Sequence, residues 1–187
     1  EENPSGAAHS VTQSAIDPLD RCELNGESAS AAALRALATT NYGHFTTMQV
    51  EQAGVRGLDL HLARLDGSTR ELFGHPLESV RVRQYMRSAL NGFDGLASMR
   101  VNVFSRNLHR ERMAEPALPD VVVSVAAPRR IETTPLRLKS FRYERVLPHV
   151  KHVGTFGLFH HRRLAQLDGF DDALFVDASG AVSEASV

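Results

Sequence analysis

Tryptophan is absent from the 187 residues and cysteine occurs once, at Cys22, so no intrachain disulfide braces this fold. No apolar run approaches the ~20 residues of a membrane span, and none resembles the core of a secretion signal, so a cytoplasmic protein is expected. The formal net charge is only −1, which removes the broad basic field that gathers nucleic acid or anionic lipid. Small polar molecules are the expected partners, with no nucleic acid and no membrane. Lysine is the other scarce residue: of 21 Lys and Arg residues, only Lys139 and Lys151 are lysines. A chain that meets almost every need for positive charge with arginine, yet places a lysine in "LPHVKHVGTF", has a use there for an amine. A desolvated amine loses its proton and attacks a carbonyl, which a guanidinium does not do.

What is present reads as an α+β chain. Residues 1–20 are rich in Ser, Ala and Pro without periodicity and are expected to be a mobile leader. A short strand "CELNG" precedes "SASAAALRALATTNYGHF", helical at first and broken at Asn41 and Gly43. "FTTMQVEQAG" has the β-branched and aromatic content of a strand closed by a glycine turn. Leu58, Leu62, Leu65 and Leu72 recur near helical spacing up to Gly74 and Pro76. A second helix, "LESVRVRQYMRSALNG", is expected to bury Leu77, Val80, Tyr85 and Leu90. Three strands follow, "ASMRVNVFS", "DVVVSVAAP" and "LRLKSFRYE". Lys139, inside the third, alternates toward solvent. After Pro148 come a helix, "GTFGLFHHRRLAQLDG", and a hairpin, "DALFVDASGAVSEAS", turning at Ala-Ser-Gly. "PRRIETTP", residues 128–135, reads as a linker, so residues 21–130 form a small N-terminal domain and 131–187 begin a second.

Two constellations carry chemistry. Lys151 stands at a junction just before a helix, where a side chain projects into a cleft. Glu184 lies on the strand returning beside the apolar Ala173–Val176 run, and a carboxylate at that depth calls for a cationic partner. Adjacent histidines at His160 and His161 diverge by about 100° on a helix and do not chelate one ion, so no metal is expected.

The segment from Lys151 through Ala165, Gly169-Phe170-Asp171-Asp172-Ala173-Leu174, Asp177, Gly180 and Ser183-Glu184-Ala185-Ser186 resembles the class IV, or fold-type IV, pyridoxal-phosphate aminotransferases. That family includes D-amino-acid and branched-chain aminotransferases and aminodeoxychorismate lyase. "YGHFTTMQV", "LDLHLARLDGS" and "MRVNVFSR" are similar to further family blocks. The resemblance implies a two-domain fold-type IV enzyme with a small N-terminal α/β domain, a larger cofactor-binding domain of which about a third of the enzyme would lie beyond Val187, and a homodimer. It implies pyridoxal 5'-phosphate held as a Schiff base by Lys151, which also moves the substrate's proton. It gives the cofactor's protonated ring nitrogen to Glu184 and its phosphate to Arg64, a forked guanidinium suited to that oxyanion. The implied reaction is amino transfer between a small amino acid and a 2-oxo acid. Aminodeoxychorismate lyase activity and a non-catalytic module on the same fold are the alternatives. Arg110 is chosen to hold the substrate carboxylate from among Arg100, Arg106, Arg110, Arg112 and His109. Two departures stand out: Thr46 replaces the family's glutamate, and no tyrosine appears where members place one, which leaves Thr155 as the nearest hydroxyl. His149 and His152 flank the lysine as supporting groups.

Overall fold

The computed structural model describes residues 21–186 apart from 92, 94 and 130–132. The expected leader at 1–20 lies outside the described residues, as does the middle of the 128–135 linker. Strand β1 (Arg21–Leu24) returns as β2 (Glu27–Ser28) through Asn25 and Gly26, both with positive φ, the pairing that a two-residue hairpin requires. Helix α1 (Ala31–Thr40) opens where the Ser30 hydroxyl accepts the Ala33 amide, and it stops at Asn41 in the left-handed region. Strand β3 (His44–Glu51) folds back as β4 (Gly54–Val55). Helices α2 (Leu58–Phe73) and α3 (Ser79–Leu90), strand β5 (Ala97–Phe104), a 3-10 turn at Arg110–Arg112 and strand β6 (Asp120–Ala126) follow. These strands form one antiparallel sheet in the order β2-β1-β6-β5-β3-β4.

Strict alternation decides what each face of this sheet does. Met48, Val50, Met99, Val101, Val103, Val123 and Val125 point toward α2 and α3 and build the main core with Leu62, Leu65 and Phe73. On the opposite face, Leu24, Phe104 and Val122 pack beneath α1 at one end. Besides the buried Phe45, that face carries Thr47, Gln49, Arg100, Asn102 and Ser124, none of them buried. The expected inward face of α3 is corrected here. Val80 is 70% exposed, and the buried stripe is Val82, Met86, Ala89 and Leu90. The helix begins only at Ser79, so Leu77 is buried from the preceding loop and does not fix the helical phase.

A second, three-stranded sheet contains β7 (Leu138–Arg142), β8 (Asp172–Val176) and β9 (Val182–Ala185). Strands β7 and β8 run parallel and are bridged by a crossover that holds α4 (Phe156–Leu167), while β8 and β9 are antiparallel. The core here is small: Leu158, Ala165, Ala173 and Phe175, with Phe141 and Tyr143 against it. Helix α4 sits so close to the strands that a Cβ on Gly157 would collide with the Tyr143 hydroxyl. Lys139 is half-exposed rather than free in solvent, and its ammonium pairs with Asp168 at the end of α4.

Candidate active site

The two sheets meet where the segment before α4 runs along the start of β3. The Phe45 amide donates to the Lys151 carbonyl at 2.9 Å, the Val153 amide donates to the Gly43 carbonyl at 2.9 Å, and His44 and His152 pair as an isolated antiparallel bridge. A few backbone bonds therefore fix Lys151 against the open edge of β3 that β4 leaves unpaired. Its amine lies 5.1 Å from the centre of the Phe45 ring, and the Arg100 guanidinium stands 3.6 Å over the same ring. Arg100 reaches this place by alternation: Met99 and Val101 face the core, so Arg100 faces the polar side of β5, diagonally across from Phe45.

Behind the strand lies a polar line. The Arg64 guanidinium on α2 donates to the Thr46 hydroxyl. That hydroxyl is 2.6 Å from His61 Nδ1, and the Arg64 guanidinium, which can only donate, also approaches Nδ1 at 3.4 Å, so Nδ1 acts as the acceptor. His61 then carries its ring proton on Nε2. Burial, reinforced by Arg64, lowers the pKa of His61. His44 is wholly buried beside Thr69 at 3.0 Å, and burial with the nearby Arg64 charge lowers its pKa to about 4. Both imidazoles are thus neutral at physiological pH.

Glu184 sits on β9, where a carboxylate was expected to need a cationic partner. A protein group supplies one: Arg145 Nε donates to Glu184 Oε1 at 2.6 Å, with side chains 11% and 31% exposed. The remaining arginine nitrogens donate to the carbonyls of Val150 at 2.8 Å and Pro148 at 2.9 Å. One guanidinium therefore ties Glu184 to the loop that carries Lys151. His149 ties that loop to α2 through Glu71 at 2.9 Å. His152 Nε2 is buried without a partner among the described residues.

These groups shape the electrostatics. Burial is the main cause that lowers the Lys151 pKa, Arg64 and Arg145 add to it, and Glu184 opposes it only in part. With Glu184 matched by Arg145, the cations Lys151, Arg64 and Arg100 have no further carboxylate paired with them among the described residues. A site with a depressed amine and surplus guanidinium charge suits an aldehyde that carries its own anionic groups.

Of the residues expected to act, Arg64 and Glu184 each lie within electrostatic reach of Lys151. Arg110 stands apart: its guanidinium donates to the Thr39 carbonyl at 3.0 Å, at the end of α1. Arg106 is engaged by Asp120 and Arg112 by Glu115. Arg100 is the member of that group that joins the cluster, and period-two alternation along β5 was the signal for it. Arg145 went unremarked because it lies in an irregular segment with no periodic pattern around it.

The sequence profile of the amino-transferase class IV family matches residues 43–187, and the chain belongs to that family. Its members are pyridoxal-phosphate enzymes, and the α+β architecture described above is theirs. The chain is similar to the branched-chain aminotransferase of Thermoproteus uzoniensis, at 17% identity and a TM-score of 0.73, over 89% of this chain and 63% of that one. It is also similar to a putative 4-amino-4-deoxychorismate lyase of Legionella pneumophila, at 24% identity and a TM-score of 0.61, over 80% and 58%. A third likeness is to a hypothetical aminotransferase of Mycobacterium tuberculosis in a form bound to pyridoxal phosphate, at 17% identity and a TM-score of 0.59, over 81% and 57%. The chain thus spans less than two thirds of the length of these proteins. No curated protein sequence matches it significantly. No helix among the described residues is long and apolar enough to cross a membrane.

Proposed function

We propose that this chain supplies the lysine side of the active site of a pyridoxal-phosphate-dependent transaminase that moves an amino group between a small amino acid and a 2-oxo acid. The observation that carries the reading is the Lys151 amine, desolvated and surrounded by Arg64, Arg100 and the Arg145–Glu184 pair. In this reading residues 21–130 are the small domain, 131–187 begin the cofactor-binding domain, and the enzyme works as a homodimer.

In this reading each role falls to a separate element. Lys151 holds the cofactor through its amine and afterwards takes and returns the proton at the substrate's α-carbon, a task suited to an amine whose pKa is pulled toward neutrality. Glu184 keeps a proton on the cofactor's ring nitrogen, with Arg145 fixing the carboxylate's position. Arg64 holds the phosphate, steadied by Thr46 where the family has a glutamate. When bound, the cofactor supplies an electron sink for the α-carbon. Arg100, rather than Arg110, receives the substrate carboxylate, because it stands beside Lys151 over Phe45.

The test is the visible spectrum of the full-length protein with added pyridoxal phosphate, before and after borohydride, beside Lys151→Ala. The reading expects a yellow band that borohydride bleaches and cofactor mass retained on the peptide containing Lys151. A wild-type protein that stays colourless and unlabelled would sink it and leave a non-catalytic module on the same fold. With the cofactor established, oxo-acid-dependent amino transfer supports the transaminase, and pyruvate release from aminodeoxychorismate without it identifies a lyase.

A further inference from the structure

Apart from the Lys151 cluster, the molecule has a second concave feature. A cleft of about 320 Å³ opens between the tip of the β1–β2 hairpin, the loop that leads into α3, and the segments that follow β5 and precede β6. No residue that lines it belongs to the candidate active site.

The local sequence explains why this cleft is held open and what it offers. At the hairpin tip, Asn25 takes the left-handed conformation, donates its side-chain amide to Asp120 at 2.9 Å and accepts the Val121 amide at 2.8 Å. The tip is thereby pinned to β6. A Cβ on Gly26 would come within 2.9 Å of the Tyr85 ring, so the hairpin lies close on that ring and holds it as one wall. Asp120, 7% exposed, also accepts the Arg106 backbone amide at 2.9 Å and Arg106 Nη2 at 2.8 Å. Three donors satisfy the carboxylate and lock the guanidinium in one place. Arg106 Nε and Nη1 have no partner among the described residues, and neither has the Tyr85 hydroxyl. Arg106 is thus fixed in position while it keeps donors to spare.

The rest of the lining narrows the chemistry. Arg81 is offset by Glu78 at 3.4 Å, and Arg106 by Asp120. A cleft whose charges cancel does not gather phosphate or any polyanion. Buried Leu77, Val82 and Val121 supply apolar lining, and Leu118, 61% exposed, adds more. Spare N–H donors beside apolar walls suit one carboxylate on an apolar body. The volume falls at the low end of the ~300–1,000 Å³ typical of small-molecule sites, which fits one small molecule and excludes a peptide.

We propose that this cleft is a second ligand site that binds a small aliphatic carboxylic acid. The carboxylate accepts from Arg106, with the Tyr85 hydroxyl as a further donor, and the carbon chain lies against Leu77, Val82 and Leu118. Amino acids and amine-free acids share this chemistry. The proposal stands on the cleft's own residues and does not depend on the cofactor reading.

Amide chemical shifts of the isotope-labelled full-length protein, titrated in turn with isocaproate, leucine, isoamylamine and inorganic phosphate, test it. The expected result is saturable shifts at Tyr85, Asn107 and Leu118 with isocaproate, at a dissociation constant of about 1 mM or tighter, and none with isoamylamine or phosphate. Tighter binding of leucine than of isocaproate supports amino acids as the occupants, with Glu78 taking the ammonium, and the reverse order supports amine-free acids. Arg106→Gln should weaken isocaproate binding at least about tenfold. Because that change also uncovers Asp120, Leu118→Glu serves as a second variant: its exposed position spares the fold, and its carboxylate repels the ligand to a similar extent. The absence of shifts at these residues, shifts that isoamylamine reproduces, or an affinity that neither variant lowers would each overturn the proposal.

Discussion

The two sheets of this protein contrast in how they use apolar residues. The six-stranded sheet packs a large continuous core against α2 and α3, with Val50, Val82, Ala97, Met99, Val101 and Val123 fully buried. The three-stranded sheet rests on four buried residues, and much of its apolar surface, including one side of α4, is open. The lesson lies in where the candidate chemistry sits. Arg64 and Arg100 come from the well-packed sheet, Glu184 and Arg145 from the lightly packed part, and Lys151 from the segment where the two are stitched together. Rigid elements on one side thus hold the proposed anion-binding groups, while the proposed reactive amine rides on a loop whose Val150 and Pro148 carbonyls are held by Arg145.

The largest effect expected separates the two lysines. Lys151→Ala should abolish borohydride-stable cofactor attachment and lower amino transfer by about 1,000-fold or more. Lys139→Ala, which loses only a half-exposed pair with Asp168, should leave both within about twofold. Equal losses in a labelling assay would break the assignment.

Next come the cores. Phe175→Ala removes the ring against which Tyr143 and His161 pack at 5.0 and 5.6 Å, and should cost about 3–5 kcal/mol. Leu65→Ala should cost a similar amount in the other core. Hydrogen exchange tells them apart: the first should release the amides of β7 and β8 while the six-stranded sheet stays protected, and the second should lower protection in β3, β5 and β6. Uniform loss from both variants would show that the sheets unfold as one unit.

A smaller effect concerns pH. His44 has a folded pKa of about 4 against an ordinary value of 6.5. The unfolded chain therefore binds a proton in that window and the folded chain does not, so stability falls as pH drops from about 6.5 to about 4, by roughly 3 kcal/mol in full. Denaturant unfolding across this range should show the slope, and His44→Gln, which keeps a donor for Thr69 without titrating, should flatten it. An unchanged slope would assign the acid sensitivity to other groups.

The smallest effect sharpens the choice between arginines. Arg100→Gln should raise KM for the substrate carboxylate by about 10–100-fold with a lesser change in kcat, while Arg110→Gln should shift KM by less than about twofold. Steady-state kinetics would reverse the assignment if the two variants exchanged places.

The elements themselves were largely readable from residue order. β-branched and aromatic runs marked β3, β5 and β6, and the stops at Asn41 and Gly74 follow from the few residues that adopt positive φ readily, whereas the turn at Asn25-Gly26 was read as the end of a strand. The phase of α3 was not readable, because Leu77 and Val80 imitate a stripe that begins only after the helix does. The spacing of Lys151 and Glu184, 33 positions apart, and the block around Arg64 pointed to one family. The company these residues keep was hidden. Arg145 and Glu184 lie 39 positions apart, and their meeting depends on how the irregular loop before α4 folds back onto β9.

By itself, then, the sequence determined most of the helices and strands, the scarcity that singles out Lys151, and the family. Local propensity and periodicity act over a few residues, and a motif records chemistry without geometry. Only the tertiary structure decided that Arg145 takes Glu184, that Arg100 rather than Arg110 stands beside the amine, and that α4 leaves an apolar stripe outward. Burial and charge depend on neighbours that are distant in the chain, and the packing of the two sheets is what brings them together.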